Sequence, residues 1–436
     1  MRIDILNHAA LLLTSEQTSL LTDPWLEGTA FSGGWGLRHQ NPAAFDVARH
    51  ATHLWVSHWH SDHMHIPTLR KLATAAPTMK VWANESANFS MKGAFENVGF
   101  RHIDRFLERV TVSLAPRIDI CRYPATTIDN MLLFRAEGRS VLNYNDCNLP
   151  LASLRRLRAH FGPIDVLLTN YNHATKLLGS ESDEAIKDAR WTALRRVVDT
   201  LEPRFVVPFA SSHFYRSTHS TNQNASMIGY DEVVERAAGD PRILVVRPGE
   251  AVEWAANDLA PKIVTTSANI IPTPLDVLDY GKSQTWETVL QTVEAYRARL
   301  RRGYLGLMRL LKPVRIRIWD HERTIELDLH RGVRILEGTE ADAAHVVLHS
   351  VALVNWMGRD FGDDTFFAGA HFAVGTLDPK VVRPLALFSA LASNHMTLRN
   401  LQEMFGSRRG REFFFNRREE IVGTILGAKF NLDLRQ

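Results

Sequence analysis

The stretch S-H-W-H-S-D-H at residues 57–63 holds three histidines and one aspartate directly after a short apolar run, T-H-L-W-V-S, that predicts a β-strand. Side chains alternate along a strand end, so we expect His58 and His60 to leave on the same side and to chelate one ion. The turn that follows is expected to direct Asp62 and His63 toward a second ion. Imidazole suits zinc and iron, and a carboxylate adds charge and can bridge two ions. The spacing therefore predicts a metal centre at a strand end.

The elements on both sides of this stretch predict an α/β fold. Strand patterns dominate the first part of the chain, and helical patterns are interleaved with strands afterwards. This order suits an αββα sandwich, in which two sheets pack face to face and helices cover the outer faces. The predicted strands lie at residues 3–6, 10–14, 19–21, 52–57, 80–83, 109–113, 131–135, 141–144, 164–169, 205–209 and 243–246, and the predicted helices at 67–75, 151–160 and 188–200.

The 436 residues allow more than one domain. We expect a catalytic domain over residues 1–255, a linker over 256–282 and a smaller α+β domain over 283–380, followed by a mostly helical tail over 381–436. The α+β domain is predicted to begin with a long amphipathic helix. Its predicted elements are a helix at 283–311, strands at 314–319, 324–329, 333–335 and 345–349, and a helix at 351–358.

Composition narrows the range of partners. The net charge is +3, from 51 basic and 48 acidic residues, and this balance gives no reason to expect nucleic acid or a membrane surface as a partner. The two cysteines, Cys121 and Cys147, are too few for a disulfide scaffold and fit a reducing cytosol. The N-terminal residues read as a strand rather than a signal peptide, and no apolar run is long enough for a transmembrane helix. We therefore expect a cytoplasmic protein that acts on a small molecule, with a homodimer left open.

The H-x-H-x-D-H pattern of residues 58–63 resembles the signature of the metallo-β-lactamase superfamily, and the resemblance extends over roughly residues 1–254. In that family an early Asp at a strand end orients the metal-ligand loop, and Asp23 matches it. Asp146, in V-L-N-Y-N-D-C, matches the Asp that bridges the two metals. His213, in V-P-F-A-S-S-H-F, matches the last metal histidine. The resemblance thus implies two metal ions and an αββα fold.

One histidine of the family pattern is missing. The family supplies a third histidine to the first metal a short way before the bridging Asp, whereas this chain has C-R-Y-P-A-T-T-I-D-N-M-L-L-F there. Asp129 is the nearest residue that can ligate, and a turn or capping role for it is an equal alternative. His65, His102 and His173 are other stand-ins, for which a surface or supporting role is the ordinary explanation. His173 follows a predicted strand, so it is also our candidate for a substrate contact or proton carrier.

Four stretches, which include the motifs quoted above, together resemble the metallo-β-lactamase-like part of the CMP-N-acetylneuraminate hydroxylase family. They are T-D-P-W-L-E-G-T-A-F-S-G-G-W-G-L, S-H-W-H-S-D-H-M-H-I-P-T-L-R-K-L, S-V-L-N-Y-N-D-C and V-V-P-F-A. That family is iron-dependent and receives electrons from a Rieske cluster, which needs two Cys and two His in paired motifs. Cys121 and Cys147 stand singly, so the resemblance implies an external electron donor or electrons from the substrate. Residues 280–376 resemble sterol-carrier-type domains, with a packing or dimerisation domain as the alternative.

Two reactions fit these residues. With iron, we predict an O₂-dependent oxygenase that hydroxylates or N-oxidises a small polar metabolite, and with zinc a hydrolase of a phosphodiester, lactone or thioester. A carboxylate in place of the third histidine favours iron, because carboxylates stabilise high oxidation states better than neutral imidazole. Asp62 is a candidate for catalysis as well as metal binding. A binding module without catalysis is the third possibility.

Residues outside the ligand set offer candidates for substrate contact. Trp25, Phe31 and Trp35 can form a wall over the site or belong to the core. Arg216 can hold an anionic group, although a solvated arginine is the ordinary case.

Overall fold

The computed structural model describes residues 1–393 apart from 87–88, 126–128, 176–180, 256–259, 305–308, 310 and 379–380, and beyond residue 393 it describes residues 406 and 411. All structural statements below refer to these residues.

The first large sheet has nine strands in the described part of the chain. Its strands are apolar on both faces: Leu11 and Leu13 face one side, and Leu12 faces the other. Such runs are typical of a sheet that is covered on both sides. In spatial order the strands are His102–Leu107, Lys80–Ser86, His53–Trp55, Thr18–Thr22, Ala10–Ser15, Arg2–Asn7, Glu250–Glu253 and Lys262–Thr265, with Phe89–Ser90 paired to Lys80–Ser86.

The second large sheet has six strands among the described residues. Leu132 and Phe134 face the first sheet, whereas Met131 and Leu133 face the opposite side. Its strands in spatial order are Thr111–Ala115, Ile118–Pro124, Asn130–Ala136, Arg139–Asn145, Val166–Thr169 and Phe205–Pro208.

Three apolar layers hold the two sheets and their helices together. A central core of buried side chains from both sheets lies between them. A second core joins the outer face of the first sheet to the helices Ala44–Ala48, Ile66–Ala75 and Lys92–Val98. A third core joins the second sheet to Leu151–Phe161, Asp183–Leu201 and Tyr230–Ala237. The predicted αββα sandwich is therefore confirmed.

The predicted elements differ from the structure in several places. Residues 243–246 form only an isolated bridge between Ile243 and Val206, so the predicted strand there is wrong. The strand Ile118–Pro124 was not expected, because Arg122 interrupts its apolar pattern. In the structure Arg122 is buried and donates to the carbonyl oxygens of Phe106 and Glu85. Long-range hydrogen bonds of this kind are invisible in the local sequence.

The stretch 256–282 is not simply a linker. Its segment Lys262–Thr265 pairs antiparallel with Glu250–Glu253 and extends the first sheet. A second segment, Ile271–Pro272, pairs with His39–Gln40. The linker prediction missed these strands because edge strands are exposed and carry little apolar pattern.

The remaining described residues build a separate apolar core around a five-stranded sheet. The predicted strands and the helix predicted over 351–358 are present. The helix predicted over 283–311 is seen over Trp286–Tyr304, and residues 305–308 and 310 of that prediction lie outside the described residues. The assignment as a domain over 283–380 stays a prediction. The helix Val382–Ser393 covers the first part of the expected helical tail, and most of the rest lies outside the described residues. The strands are Gly332–Leu336, Arg323–Asp328, Val314–Ile318, Val346–Leu348 and Ala373–Val374, and the helices Trp286–Tyr304, Thr339–Asp342, Ser350–Met357 and Gly362–Ala368.

Small elements complete the fold. The short strands His213–Tyr215, Trp35–Leu37 and Thr29–Ala30 form a three-stranded sheet beside the sandwich.

Among the helices that the structure describes, none has both the length and the apolar character to cross a bilayer. Three-residue to six-residue 3₁₀ turns lie at Phe31–Gly33, Thr221–Ser226 and Trp319–His321.

The central core predicts a clear difference between two leucines. Leu168 is fully buried between the sheets, whereas Leu151 is 39 % exposed at the start of a helix. We expect Leu168→Ala to lower the free energy of unfolding by about 3 kcal/mol, because it removes buried methyl groups and leaves a cavity. Leu151→Ala should change it by less than about 0.5 kcal/mol. Urea unfolding followed by tryptophan fluorescence checks this, and equal midpoints for the two variants would contradict it.

Candidate metal centre

The predicted metal ligands meet at one end of the sandwich because the strands that carry them end there. The S-H-W-H-S-D-H loop follows the strand His53–Trp55, which runs parallel to Thr18–Thr22. Asp146 follows Arg139–Asn145 on the second sheet, and Asp129 directly precedes Asn130–Ala136. Loops at strand ends commonly carry functional side chains on a rigid scaffold.

Three adjoining groups of side chains in the described chain have ligand atoms close enough to hold a metal ion. Each group contains two histidines and one aspartate, and neighbouring groups share His58 or His63. The groups are His58, His60 and Asp129; His58, His63 and Asp146; and His8, Asp62 and His63.

The first group has distances suited to one ion. His58 Nε2 lies 2.8 Å from His60 Nδ1 and 3.9 Å from Asp129 Oδ1. Ligand atoms that are each about 2.1 Å from one ion lie about 3 to 4 Å from one another. Asp129 thus lies within reach of an ion shared with the two histidines, and its role as the third ligand stays a prediction.

The other two groups continue from the first. His63 Nε2 lies 3.2 Å from Asp62 Oδ2 and 3.6 Å from Asp146 Oδ2. The same oxygen of Asp146 lies 3.8 Å from His58 Nε2. Asp146 therefore stands between the two halves of the cluster, as a bridging carboxylate requires.

His8 belongs to the cluster although the sequence analysis did not single it out. Its side chain is buried, and Nε2 lies 3.3 Å from Asp62 Oδ2. It occupies the turn between the strands Arg2–Asn7 and Ala10–Ser15. The only local signal was a polar pair, Asn7 and His8, between two apolar strands, and nothing in that pattern indicates what the turn contacts.

His213 lies beside the cluster but belongs to none of the three groups. Its ring stacks on Trp35 with a centroid distance of 3.7 Å and lies 5.3 Å from the ring of His8. Both ring nitrogens are buried and lack a hydrogen-bond partner among the described atoms, as do Asp62 Oδ1 and Asp146 Oδ1. Buried polar atoms are nearly always partnered, so these orphaned donors and acceptors fit a site for cations.

Asp23 makes buried hydrogen bonds that fix the loop carrying the candidate ligands. One carboxylate oxygen accepts hydrogen bonds from the backbone N–H of Ser57 at 2.7 Å and from its hydroxyl at 3.0 Å. The other accepts from Asn145 Nδ2 at 2.7 Å and lies 3.3 Å from His63 Nδ1. A carboxylate at Nδ1 leaves Nε2 of His63 to face the cluster. The orienting role that the resemblance implied for Asp23 stays a prediction.

The charges of the cluster favour a cation. Burial lowers the pKa of His63, but the surrounding carboxylates, first of all Asp62 and Asp146, outweigh burial and raise it well above its ordinary value. Burial and the neighbouring His8 lower the pKa of His213 well below the usual range. The carboxylates thus attract positive charge, and the neutral ring of His213 keeps a free lone pair for a ligand bond.

The other predicted site residues are placed differently. His173 is fully buried, with Tyr215 Oη 3.0 Å from Nδ1 and Ser226 Oγ 3.0 Å from Nε2, so both ring nitrogens are occupied and it joins none of the metal-binding groups. His65 accepts from the backbone of Thr68 at the start of the helix Ile66–Ala75. His102 is exposed on an edge strand. These positions argue against a ligand role for the three histidines.

The aromatic residues of the glycine-rich loop belong to an apolar core and also border the cluster of candidate metal ligands. Trp25, Phe31 and Trp35 are buried in one apolar cluster. Trp35 covers His213, and the ring of Phe31 lies 5.9 Å from that of His60. Arg216 pairs with Asp276 instead of standing free for an anion.

Residues 2–210 match the family described as the beta-lactamase superfamily domain. The resemblance of this part of the chain to the metallo-β-lactamase superfamily, which the H-x-H-x-D-H pattern predicted, is therefore confirmed, and that fold implies a dinuclear metal centre.

Curated relatives lie within the hydroxylase group that the sequence resembled. The chain is 25 % identical over 289 residues to cytidine monophosphate-N-acetylneuraminic acid hydroxylase of Danio rerio, covering 57 % of this chain and 45 % of that protein. It is 24 % identical to the inactive cytidine monophosphate-N-acetylneuraminic acid hydroxylase of Homo sapiens, covering 67 % of this chain and 62 % of that protein. Among solved structures, a variant of the CmlA beta-hydroxylase is similar at 18 % identity and a TM-score of 0.43, covering 61 % of this chain and 53 % of that one. The chain thus spans about half the length of the first relative.

His58 and His63, which each belong to two of the three groups, are the positions at which substitution should most reduce metal content. We expect the wild-type chain to hold about two divalent ions, as two-metal sites of this kind do. His58→Ala and His63→Ala should each lower the content to about one ion or less, because each histidine belongs to two of the three groups. Elemental analysis after gel filtration measures this. His102→Ala, at an exposed position, is the matched control, and wild-type content in both site variants would contradict the assignment.

Proposed function

We propose that this chain is a metal-dependent oxygenase that uses iron and O₂ to hydroxylate or N-oxidise a small polar metabolite. The observation that carries the proposal is the composition of the three groups, each of which combines two imidazoles with one carboxylate. This ligand combination is characteristic of non-haem iron(II) oxygenases, in which the remaining positions on the ion stay open.

The names of the curated relatives support the oxidative reading. Two relatives of different length are hydroxylases by name, one of them inactive. The match leaves about half of the first relative uncovered, so its whole activity is not transferred to this chain. What we carry over is the class of reaction, the insertion of oxygen into a small molecule.

The electrons for this reaction need a source outside the described site. Hydroxylation of a C–H or N–H group consumes one O₂, two electrons and two protons, and yields the hydroxylated product and one water. Cys121 and Cys147 are both buried and unpaired, and they are the only cysteines in the sequence. Since a Rieske cluster needs two cysteines in paired motifs, we propose a separate electron donor or a substrate that is itself oxidised.

The side chains have distinct roles in this proposal. Bound iron would supply the activation of O₂, whereas bound zinc would supply an acidified water. The residues that would hold the ions are His58, His60, His63, Asp129 and Asp146, together with His8. His213, with both ring nitrogens unpartnered, would be a further ligand beside them.

Asp62 is a candidate for two roles, metal binding and catalysis. Its Oδ2 faces His8 and His63. Burial alone would raise the pKa of this carboxyl, but His63 and His8 outweigh burial and lower it well below its usual range, which suits a metal ligand. The catalytic role predicted for Asp62 stays a prediction. Phe31 and Trp35 exclude water from one side of the centre, which strengthens the electrostatic interactions within it. The catalytic role predicted for His173 stays a prediction, and its two occupied nitrogens favour support of Tyr215 instead.

A zinc-dependent hydrolase is the second candidate. The observation in its favour is the position of Asp146 between His58 and His63, because a bridging carboxylate also serves paired zinc ions. The expected substrates of that enzyme are phosphodiesters, lactones or thioesters.

Metal analysis and optical spectroscopy separate these functions. Protein purified anaerobically from iron-supplemented cells is expected to hold about two irons per chain and to develop a near-ultraviolet or visible band on exposure to O₂. The His58→Ala variant, purified in the same way, should lack this band, whereas the His102→Ala variant should show it.

Bound zinc without an O₂ response, together with hydrolysis of a phosphodiester, lactone or thioester, would overturn the oxygenase in favour of the hydrolase. A band that persists in His58→Ala would place the chromophore outside the proposed centre.

A further inference from the structure

The second unit, which comprises the elements from Trp286–Tyr304 to Val382–Ser393 around the five-stranded sheet, packs against the residues that border the candidate metal centre. The backbone carbonyl of Ala368 accepts a hydrogen bond from Trp35 Nε1 at 2.7 Å, and His371 Nε2 lies 2.7 Å from the carbonyl oxygen of Phe31. The two backbones approach so closely that a Cβ at Gly34 would lie 2.5 Å from the carbonyl oxygen of Gly369. The helix Gly362–Ala368 is therefore fixed against the glycine-rich loop that carries Phe31 and Trp35.

This contact brings a carboxylate to a metal-ligand histidine. Asp364, in the first turn of that helix, has Oδ2 3.7 Å from His60 Nε2. The other ring nitrogen, His60 Nδ1, faces His58 Nε2 at 2.8 Å. His60 Nε2 is buried and has no hydrogen-bond partner among the described atoms. The two nitrogens of this one ring thus face different groups: Nδ1 faces the metal-binding cluster, and Nε2 faces Asp364.

We propose that Asp364 is a positioning residue of the metal centre, which accepts a hydrogen bond from His60 Nε2–H and so directs the Nδ1 lone pair toward the ion. The inference rests on the proposed metal centre, specifically on His60 as a ligand, and it is independent of whether iron or zinc binds. It assigns to the second unit an indirect part in metal binding, which passes through His60.

The chemistry of imidazole supports this arrangement. A neutral histidine has one N–H, and the group that accepts from it fixes the tautomer and the ring orientation for metal binding. The distance of 3.7 Å is about 0.7 Å longer than an N–H···O hydrogen bond. Asp364 is partly exposed, whereas the segment that carries it is held by hydrogen bonds to Trp35 and Phe31.

Two substitutions at Asp364 separate a hydrogen-bond acceptor from a metal ligand. Asp364→Asn keeps an oxygen that can accept from Nε2–H but is a poor metal ligand, and Asp364→Ala removes the acceptor. For a positioning residue, we expect Asp364→Ala to weaken metal affinity about 10-fold to 100-fold, and Asp364→Asn to stay within about threefold of the wild type.

The measurement is the affinity of the full chain for Zn²⁺, by competition with a chromogenic chelator, together with the visible spectrum of the Co²⁺-loaded protein. The spectrum reports ligand geometry, so Asp364→Ala should alter it and Asp364→Asn should restore it. The matched control is Asp360→Ala, since Asp360 lies on the same segment but pairs with Arg299. It should bind Zn²⁺ like the wild type.

A double-mutant comparison tests whether the effect passes through His60. Adding Asp364→Ala to His60→Ala should cost no further Zn²⁺ affinity, because the partner of the carboxylate is already absent. Wild-type affinity in Asp364→Ala, or an equally large loss in Asp364→Asn, would overturn the positioning role. Wild-type affinity in His60→Ala would instead overturn the metal centre itself, so the two failures are distinguishable.

Discussion

The buried carboxylate of Asp23 is the constraint on which the rest of the site depends. It ties together three points that are distant in sequence: the end of the strand Thr18–Thr22, the backbone and hydroxyl of Ser57, and Asn145 on the second sheet. Asp23 adopts φ of 46°, a left-handed conformation that is uncommon for residues other than glycine. Asn130 of the second sheet adds a further hydrogen bond to this junction, since its Nδ2 donates to the carbonyl oxygen of Ser57 at 2.8 Å.

Around this anchor the fold concentrates carboxylates and imidazoles at one end of the sandwich. The apolar cores on both faces of each sheet make the strand ends rigid, and the ligands are carried by those ends. Ligands that are positioned by rigid elements lose little freedom when an ion binds, which favours affinity and a defined geometry. Trp35 and Phe31 then close one side, and the helix Gly362–Ala368 of the second unit packs over the same loop.

The sequence predicted what is local and missed what depends on distant contacts. His58, His60, Asp62 and His63 share one loop, so their spacing alone indicated a metal site. Asp146 and His213 required the family resemblance, because nothing near them in sequence indicates a ligand. His8 and Asp364 gave no usable signal, since one lies in a hairpin turn and the other in a different unit, and only the folded chain brings them to the cluster. The same reason explains why Ile118–Pro124, with its buried Arg122, was not recognised as a strand.

The positions of bound metal ions would show whether this cluster of histidines and aspartates is a dinuclear metal centre. A crystal of the iron-loaded protein, with anomalous scattering measured on both sides of the iron absorption edge, locates each ion independently of the protein atoms. We expect two iron peaks roughly 3.5 to 4 Å apart, one bonded to His58 and His60 and the other to His63, with Asp146 between them. A single peak away from these side chains, or none in protein shown to contain iron, would contradict it.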